Sequence, residues 1–281
     1  MLEDFRFEDL TWPEVNDAVE AGRIPVLPVG TIEQHGPHLP LKIDRWTSTS
    51  IVDEAARRSN GLLLAMPPVS YGYTSHVMDF PGSMTIHHET FIRYLVDIGL
   101  SLVYHGFKKL IFINGHGSNQ QPTELAVRRI MLESDAWAAM ASWWNLTQAN
   151  SGFMETWRDS EFPGGAAHAG EAETAIALHL DADAVRLDLA VDQVTDTNHQ
   201  ESKYHWVDLF GSGPVKMDGY TSTYTPDGTQ GTPTVATAAK GKLLFEEAVN
   251  NLVEFGREMS EREYLPRVDH HRRKPTIARP G

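Results

Sequence analysis

Gly30-Thr-Ile-Glu-Gln-His-Gly-Pro-His-Leu-Pro-Leu-Lys-Ile-Asp44 packs three good metal ligands, Glu33, His35 and Asp44, into fifteen residues. The run before it, Ile24-Pro-Val-Leu-Pro-Val29, is short, apolar and β-branched. It reads as a buried strand that Gly30 ends. Side chains two apart on an extended chain point the same way. Glu33 and His35 therefore face one space beyond the strand's C-terminal end, where open α/β sheets bind ligands. Gly36-Pro37 turns the chain, and Asp44 returns nine residues after His35. A plain polar loop is the competing reading of the same residues.

The rest of the chain repeats the strand-then-helix pattern. Thr11 caps a first helix that carries Pro13 in its first turn and Glu14 three residues after the cap. A helix over 45–59 ends at Asn60-Gly61, and 62–66 is a second buried strand. His87 to His105 has Phe91, Leu95, Ile98 and Leu102 at helical spacing. Lys109-Leu-Ile-Phe-Ile113 is a third strand, followed by a helix from Pro122 to Glu133, and 137–143 is a fourth strand. Gly170-Glu171 opens a helix through Leu180, residues 185–233 are polar and irregular, and a last helix spans 235–262. Continuous apolar strands alternating with helices imply a parallel sheet covered on both faces. Residues 1–265 are read as one α/β domain, and 266–281 as a basic, solvated tail that includes His270 and His271.

Two further clusters fall on the same sheet edge. Asn114-Gly-His-Gly-Ser-Asn119 lies between a strand and a helix, and its glycines allow a tight turn that exposes His116. Ala166-Ala-His-Ala-Gly-Glu-Ala-Glu-Thr174 surrounds His168 with small residues that let backbones pack closely and bring His168 and Glu171 toward a site. At a helix N-terminus a carboxylate such as Glu171 is favoured by the dipole in any case. Glu173 is read as pointing elsewhere on the helix, in a structural role. The long stretch 67–82, rich in Gly, Pro, Ser and Tyr, is a candidate functional loop. From it Tyr73, Ser75 and His76 are candidates to line a substrate pocket, with Ser118 from the third-strand turn.

Composition narrows the chemistry. The 281 residues carry a net charge of −14, which disfavours nucleic acid or an anionic membrane as partner. There is no cysteine, so a metal would use His, Asp and Glu, a set suited to Zn, Mn or Fe. No apolar run is long enough to span a membrane, and the acidic N-terminus does not read as a signal peptide, so a cytoplasmic location is expected. There is no Gly-x-Gly-x-x-Gly, no phosphate loop and no Gly-x-Ser-x-Gly elbow.

Taken jointly, the 30–44 run, Asn114-Gly-His-Gly-Ser-Asn119 and His168-Ala-Gly-Glu171 resemble the creatininase (creatinine amidohydrolase) family. Phe80-Pro-Gly82 and Gly231-Thr-Pro233 before Ala236-Thr-Ala-Ala-Lys-Gly241 are weaker echoes. The resemblance implies a three-layer α/β/α fold, a homo-oligomer (a hexamer) and two divalent metals. It implies that Asp44 bridges them, that Glu33 and His116 hold one and His35 the other, and that His168 acts at the substrate as an acid/base or polarising group. Creatininase carries a glutamate ligand where this chain has Ser118, and Glu171 is the candidate replacement. It also carries an aromatic residue at the position of Gly117, so the pocket differs. The implied activity is metal-assisted hydrolysis of a non-peptide C–N bond in a small, cyclic amide or formamide. Hydrolysis of a cyclic ketone or lactone, peptide maturation on the same centre, and a non-catalytic metal-binding scaffold are the alternatives.

Overall fold

The computed structural model describes residues 5–195 and 202–277. Residues 1–4, 196–201 and 278–281 lie outside the described residues; they hold the start of the acidic N-terminus, part of the irregular 185–233 stretch and the end of the basic tail. Helix α1 (Trp12–Glu20) leads into β1 (Ile24–Val29), α2 (Ile43–Arg58), β2 (Leu63–Ala65), α3 (His88–Tyr104), β3 (Lys109–Asn114), α4 (Gln120–Glu133) and β4 (Trp137–Ser142). The capping box at Thr11 is present, with the Glu14 carboxylate accepting from the Thr11 amide at 2.7 Å.

The four strands form one parallel sheet in the order β2-β1-β3-β4. Alternation along each strand feeds two cores. Ile24, Val26, Ile111 and Ile113 pack with α2 and the C-terminal helices, while Leu27, Val29, Leu110 and Phe112 pack with Phe91, Leu95 and Ile130 of α3 and α4. Helices thus cover both faces, the three-layer α/β/α arrangement expected from the apolar runs. The register then sets the site. Val29 pairs with Asn114 and Asn114 with Ser142, so β1, β3 and β4 end level. The turns after Val29 and Asn114 emerge side by side.

The second half of the chain wraps this edge. Short helices α5 (Trp143–Leu146) and α6 (Phe153–Trp157) precede β5 (Ala166–His168) and α7 (Glu171–Leu180). Strands β6 (Val207–Asp208) and β7 (Gly211–Ser212) pair as a small antiparallel hairpin, and β8 (Gln230–Gly231) pairs with β5. Helix α8 (Ala238–Glu261) closes on α7, where Gly241 is needed because a Cβ there would lie 1.8 Å from the Ala175 carbonyl oxygen. Irregular as its composition is, the 202–233 portion is anchored. Arg158 holds Asp208 through two hydrogen bonds of 3.0 and 2.7 Å, and Ser222 donates to Asp79. Among the described residues, no helix is long and apolar enough to cross a membrane.

Candidate metal centre

Close backbone approach assembles the centre. Asp44 sits in the first turn of α2, which begins at Ile43, two residues before the expected start at 45. A Cβ at Gly30 would lie 2.4 Å from the Arg45 Cα, and one at Gly115 would lie 2.1 Å from the Asp44 carbonyl oxygen. Glycine at both positions lets α2 start directly over the ends of β1 and β3. Asn119, fully buried, ties the neighbouring loop down by accepting from the Tyr73 amide at 2.9 Å and donating to the Gly30 carbonyl at 3.1 Å.

Glu33, His35, Asp44 and His116 are all buried and meet in one cluster. His35 Nε2 lies 3.1 Å from Asp44 Oδ1, and His116 Nδ1 lies 3.3 Å from Asp44 Oδ2 and 3.4 Å from Glu33 Oε2. Each imidazole is oriented by a main-chain carbonyl. His35 Nδ1 is 3.2 Å from the Glu33 oxygen, and His116 Nε2 is 3.2 Å from the Tyr73 oxygen. Donating there leaves the other nitrogen's lone pair aimed inward, the usual way a protein prepares histidine ligands. Thr74, also buried, donates its hydroxyl to Glu33 Oε2.

The two glutamates of α7 are placed the opposite way from the sequence reading. Glu173 Oε1 lies 3.6 Å from His35 Nε2, and its Oε2 accepts from the Ala169 amide at 2.6 Å. Ala169 has φ +53°, a left-handed conformation that turns this N–H toward the carboxylate. Glu171 faces away. It accepts from the Asp159 and Ser160 amides at 3.1 and 2.9 Å and pairs with Lys240. Two residues along a helix are about 200° apart, so only one of the pair can face the centre. Glu171 belongs to none of the residue groups able to hold an ion among the described residues.

His168 lies beside the cluster, its ring centroid 4.3 Å from that of His35 and its Nδ1 3.6 Å from Glu33 Oε1. A cavity of about 700 Å3 opens from there, and Tyr73, His76 and Ser118 line it while Ser75 does not. Ser118 Oγ is 3.5 Å from His76 Nδ1. Glu33, His116, His168 and Glu173 form the floor of the cavity, and much of its wall comes from residues 205–224. Gln34, Thr74 and Asn119, polar residues beside the named ligands, carry no signal in the sequence that marks them as parts of the site.

Charge is concentrated here. Burial raises the Glu33 carboxyl to about 7 despite nearby His116. Burial lowers the His116 imidazole, but Glu33 and Asp44 outweigh it and raise it to about 9. His35 is likewise depressed by burial yet driven well above the ordinary value by Asp44 and Glu173. Burial, then repulsion from His35, keeps His168 well below that value. Glu33 Oε1, His35 Nε2 and Asp44 Oδ2 are buried without a hydrogen-bond partner, a state that costs several kcal/mol per group if nothing fills the space. Their nitrogen and oxygen donors fall into groups within 4.8 Å: Glu33, Asp44 and His116; His35, Asp44 and Glu173; and Glu33, His35 and His168. This donor set fits divalent cations.

Carboxylates that need cations to remain buried and ionised, opening on a cavity at the sheet's carboxyl edge, put the chain among the metal-dependent hydrolases. The family model for creatininase, described as creatinine amidohydrolase, matches residues 8–255, and the chain belongs to that family. It is 31% identical to a mycofactocin precursor peptide peptidase of Mycobacterium ulcerans (strain Agy99), over 86% of this chain and 84% of that protein. It is 29% identical to a creatinine amidohydrolase of Pseudomonas putida, over 89% and 95%. A solved structure titled "Creatininase Mn" superposes with a TM-score of 0.77 at 26% identity, covering 92% of this chain and all of that one. The chain is accordingly an enzyme of the metal-dependent class that hydrolyses carbon–nitrogen bonds.

Proposed function

We propose that this chain hydrolyses a C–N bond in a small amide, with a cyclic amide or formamide as the substrate class, at a centre of two divalent cations. Glu33, Asp44 and His116 hold one ion and His35, Asp44 and Glu173 the other. The observation that carries this is Asp44, whose carboxylate belongs to both ligand groups. Bound ions at such a centre acidify water toward neutral pH and polarise a carbonyl. The chain's own groups do the rest. The Ala169 amide occupies Glu173 Oε2 and leaves Oε1 toward His35, while Thr74 fixes the Glu33 oxygen that faces His116. His168, held neutral, presents Nδ1 beside Glu33 and serves the reacting oxygen or the leaving nitrogen. Tyr73, His76 and Ser118 shape the wall. A homo-oligomer, and specifically the hexamer that the resemblance implies, remains our expectation for the assembly.

A second reading, maturation of a peptide, fits in the same cavity. About 700 Å3 lies within the ordinary range of small-molecule sites and leaves room beyond a single small lactam for a flanking peptide segment. It also agrees with the name of the Mycobacterium ulcerans relative.

Elemental analysis of the wild type, Glu173→Gln and Glu171→Gln tests the centre. Two ions per chain are expected in the wild type and in Glu171→Gln, with a loss in Glu173→Gln. Metal lost from Glu171→Gln but kept in Glu173→Gln would overturn the assignment. A panel of cyclic amides, formamides and short peptides then separates the two substrate readings.

A further inference from the structure

We propose that Gln34 fixes the ring proton of His168 on Nδ1, making the histidine a hydrogen-bond donor on its Glu33 side, at the cavity, and keeping it out of the metal-ligand set. The inference rests on the reading above, in which His168 stands at the substrate.

Gln34 is 5% exposed, and its amide cannot turn over. Its Oε1 accepts from the Gly36 amide at 2.8 Å, and its Nε2 donates to the Gly228 carbonyl at 3.1 Å. A flipped amide would set donor against donor and acceptor against acceptor at both contacts. Gly228, with φ +89°, gives the room, because a Cβ there would lie 1.9 Å from Gln34 Oε1. The second N–H of the amide then meets His168 Nε2 at 3.1 Å.

The same ring nitrogen is 3.0 Å from the Gln34 main-chain oxygen. Nε2 can satisfy one of these neighbours and not both: its lone pair accepts from the amide, or its N–H donates to the carbonyl. With the proton on Nε2, two N–H groups would confront each other and a buried donor would go unpaired. With the proton on Nδ1, the group left short is a carbonyl, which proteins tolerate more readily than an orphaned N–H. The far side of the ring agrees. Glu33 Oε1 lies 3.6 Å from His168 Nδ1, so an N–H there faces a carboxylate oxygen and not another donor. A protonated Nδ1 has no lone pair for a cation, so the Glu33, His35 and His168 group does not act as a third ion site.

Long-range proton–nitrogen correlation spectra of 15N-labelled, zinc-loaded protein read the tautomer directly, with the His168 signals assigned by their loss in His168→Gln. The wild type is expected to carry the proton on Nδ1. Gln34→Met removes the amide donor and leaves the carbonyl; Gln34→Glu, of the same size, replaces the donor by an acceptor. Both are expected to move the proton to Nε2. Turnover of an accepted substrate should fall about 10²-fold in kcat with KM little changed, the loss typical of one missing donor to a developing charge. A wild-type proton on Nε2, or an unchanged tautomer in both variants, would overturn the proposal. A wild type that hydrolyses no amide would sink the functional reading instead, and the spectra would still decide this one.

Discussion

Gly115→Ala isolates the close approach on which the centre depends. Gly115 does not have a positive φ, so alanine is compatible with its backbone and the effect is purely one of space. The added Cβ would stand 2.1 Å from the Asp44 carbonyl oxygen and 2.9 Å from its carbon, where ordinary contact begins at 3.4 Å. Both are backbone atoms with no rotamer to escape into. The start of α2 must therefore retreat from the turn after β3 by about 1.3 Å, taking Asp44 with it. Overpacking of this kind costs about 1–3 kcal/mol, and a shift of about 1 Å in a catalytic group costs about 10²-fold in rate. Because Asp44 belongs to both ligand groups, the variant is expected to lose both ions together. Elemental analysis after desalting, with thermal unfolding before and after chelation, reads this. A variant with two ions per chain and a wild-type midpoint would refute the idea that this contact positions the centre.

Thr74→Val keeps the shape but removes the donor to Glu33 Oε2; metal affinity, measured by competition with a chelator, should fall about 10- to 100-fold. Arg158→Met leaves the buried Asp208 carboxylate with the Gly164 and Phe210 amides alone. That should cost about 3–5 kcal/mol, and an unchanged denaturation midpoint would show the pair to be dispensable. Without cations, His116 holds its proton up to about pH 9 and Glu33 up to about pH 7. Both lie above their ordinary values of 6.5 and 4.5, so the stability these groups give the metal-free protein is full at low pH and is lost between 4.5 and about 7 for Glu33 and between 6.5 and about 9 for His116. Ligation needs both deprotonated, so metal binding near pH 7.5 should release protons and tighten with pH up to about 9. Binding enthalpies in buffers of different ionisation heat measure that release, and no buffer dependence would contradict it.

The sheet was legible because apolar runs such as Ile24–Val29 and Leu110–Ile113 are buried on both faces, and such strands advertise themselves in composition. Ligand spacing brought Glu33, His35, Asp44 and His116 to one edge for the same reason: they follow strands that end level. The α7 glutamates were not legible. Residues 171–177 are all buried, so the helix has no solvent face from which to read its phase, and Glu171 and Glu173 cannot be told apart by periodicity. Asp44 was assigned to a loop because Lys42, at the helix N-cap, makes no side-chain cap to announce the start. Strands β5 to β8 are two or three residues long, too short for alternation to register. Gln34 and Thr74 act through hydrogen bonds to residues far along the chain or on another loop, and no local pattern encodes such partners.

The cavity draws its floor and much of its wall from separate stretches. The floor is set by strand ends and glycine contacts that a substitution disrupts at once. The 205–224 wall is held by Arg158–Asp208, by Ser222–Asp79, by the Leu209 amide on the Ala166 carbonyl and by Leu209 and Phe210 packed on the core. None of the ligand groups among the described residues draws a residue from that wall, so substitutions at its exposed positions leave the ligands in place. Ligand set and cavity wall are therefore encoded in different stretches of the chain, which suits a family whose members bear the names of a precursor peptide peptidase and of a creatinine amidohydrolase.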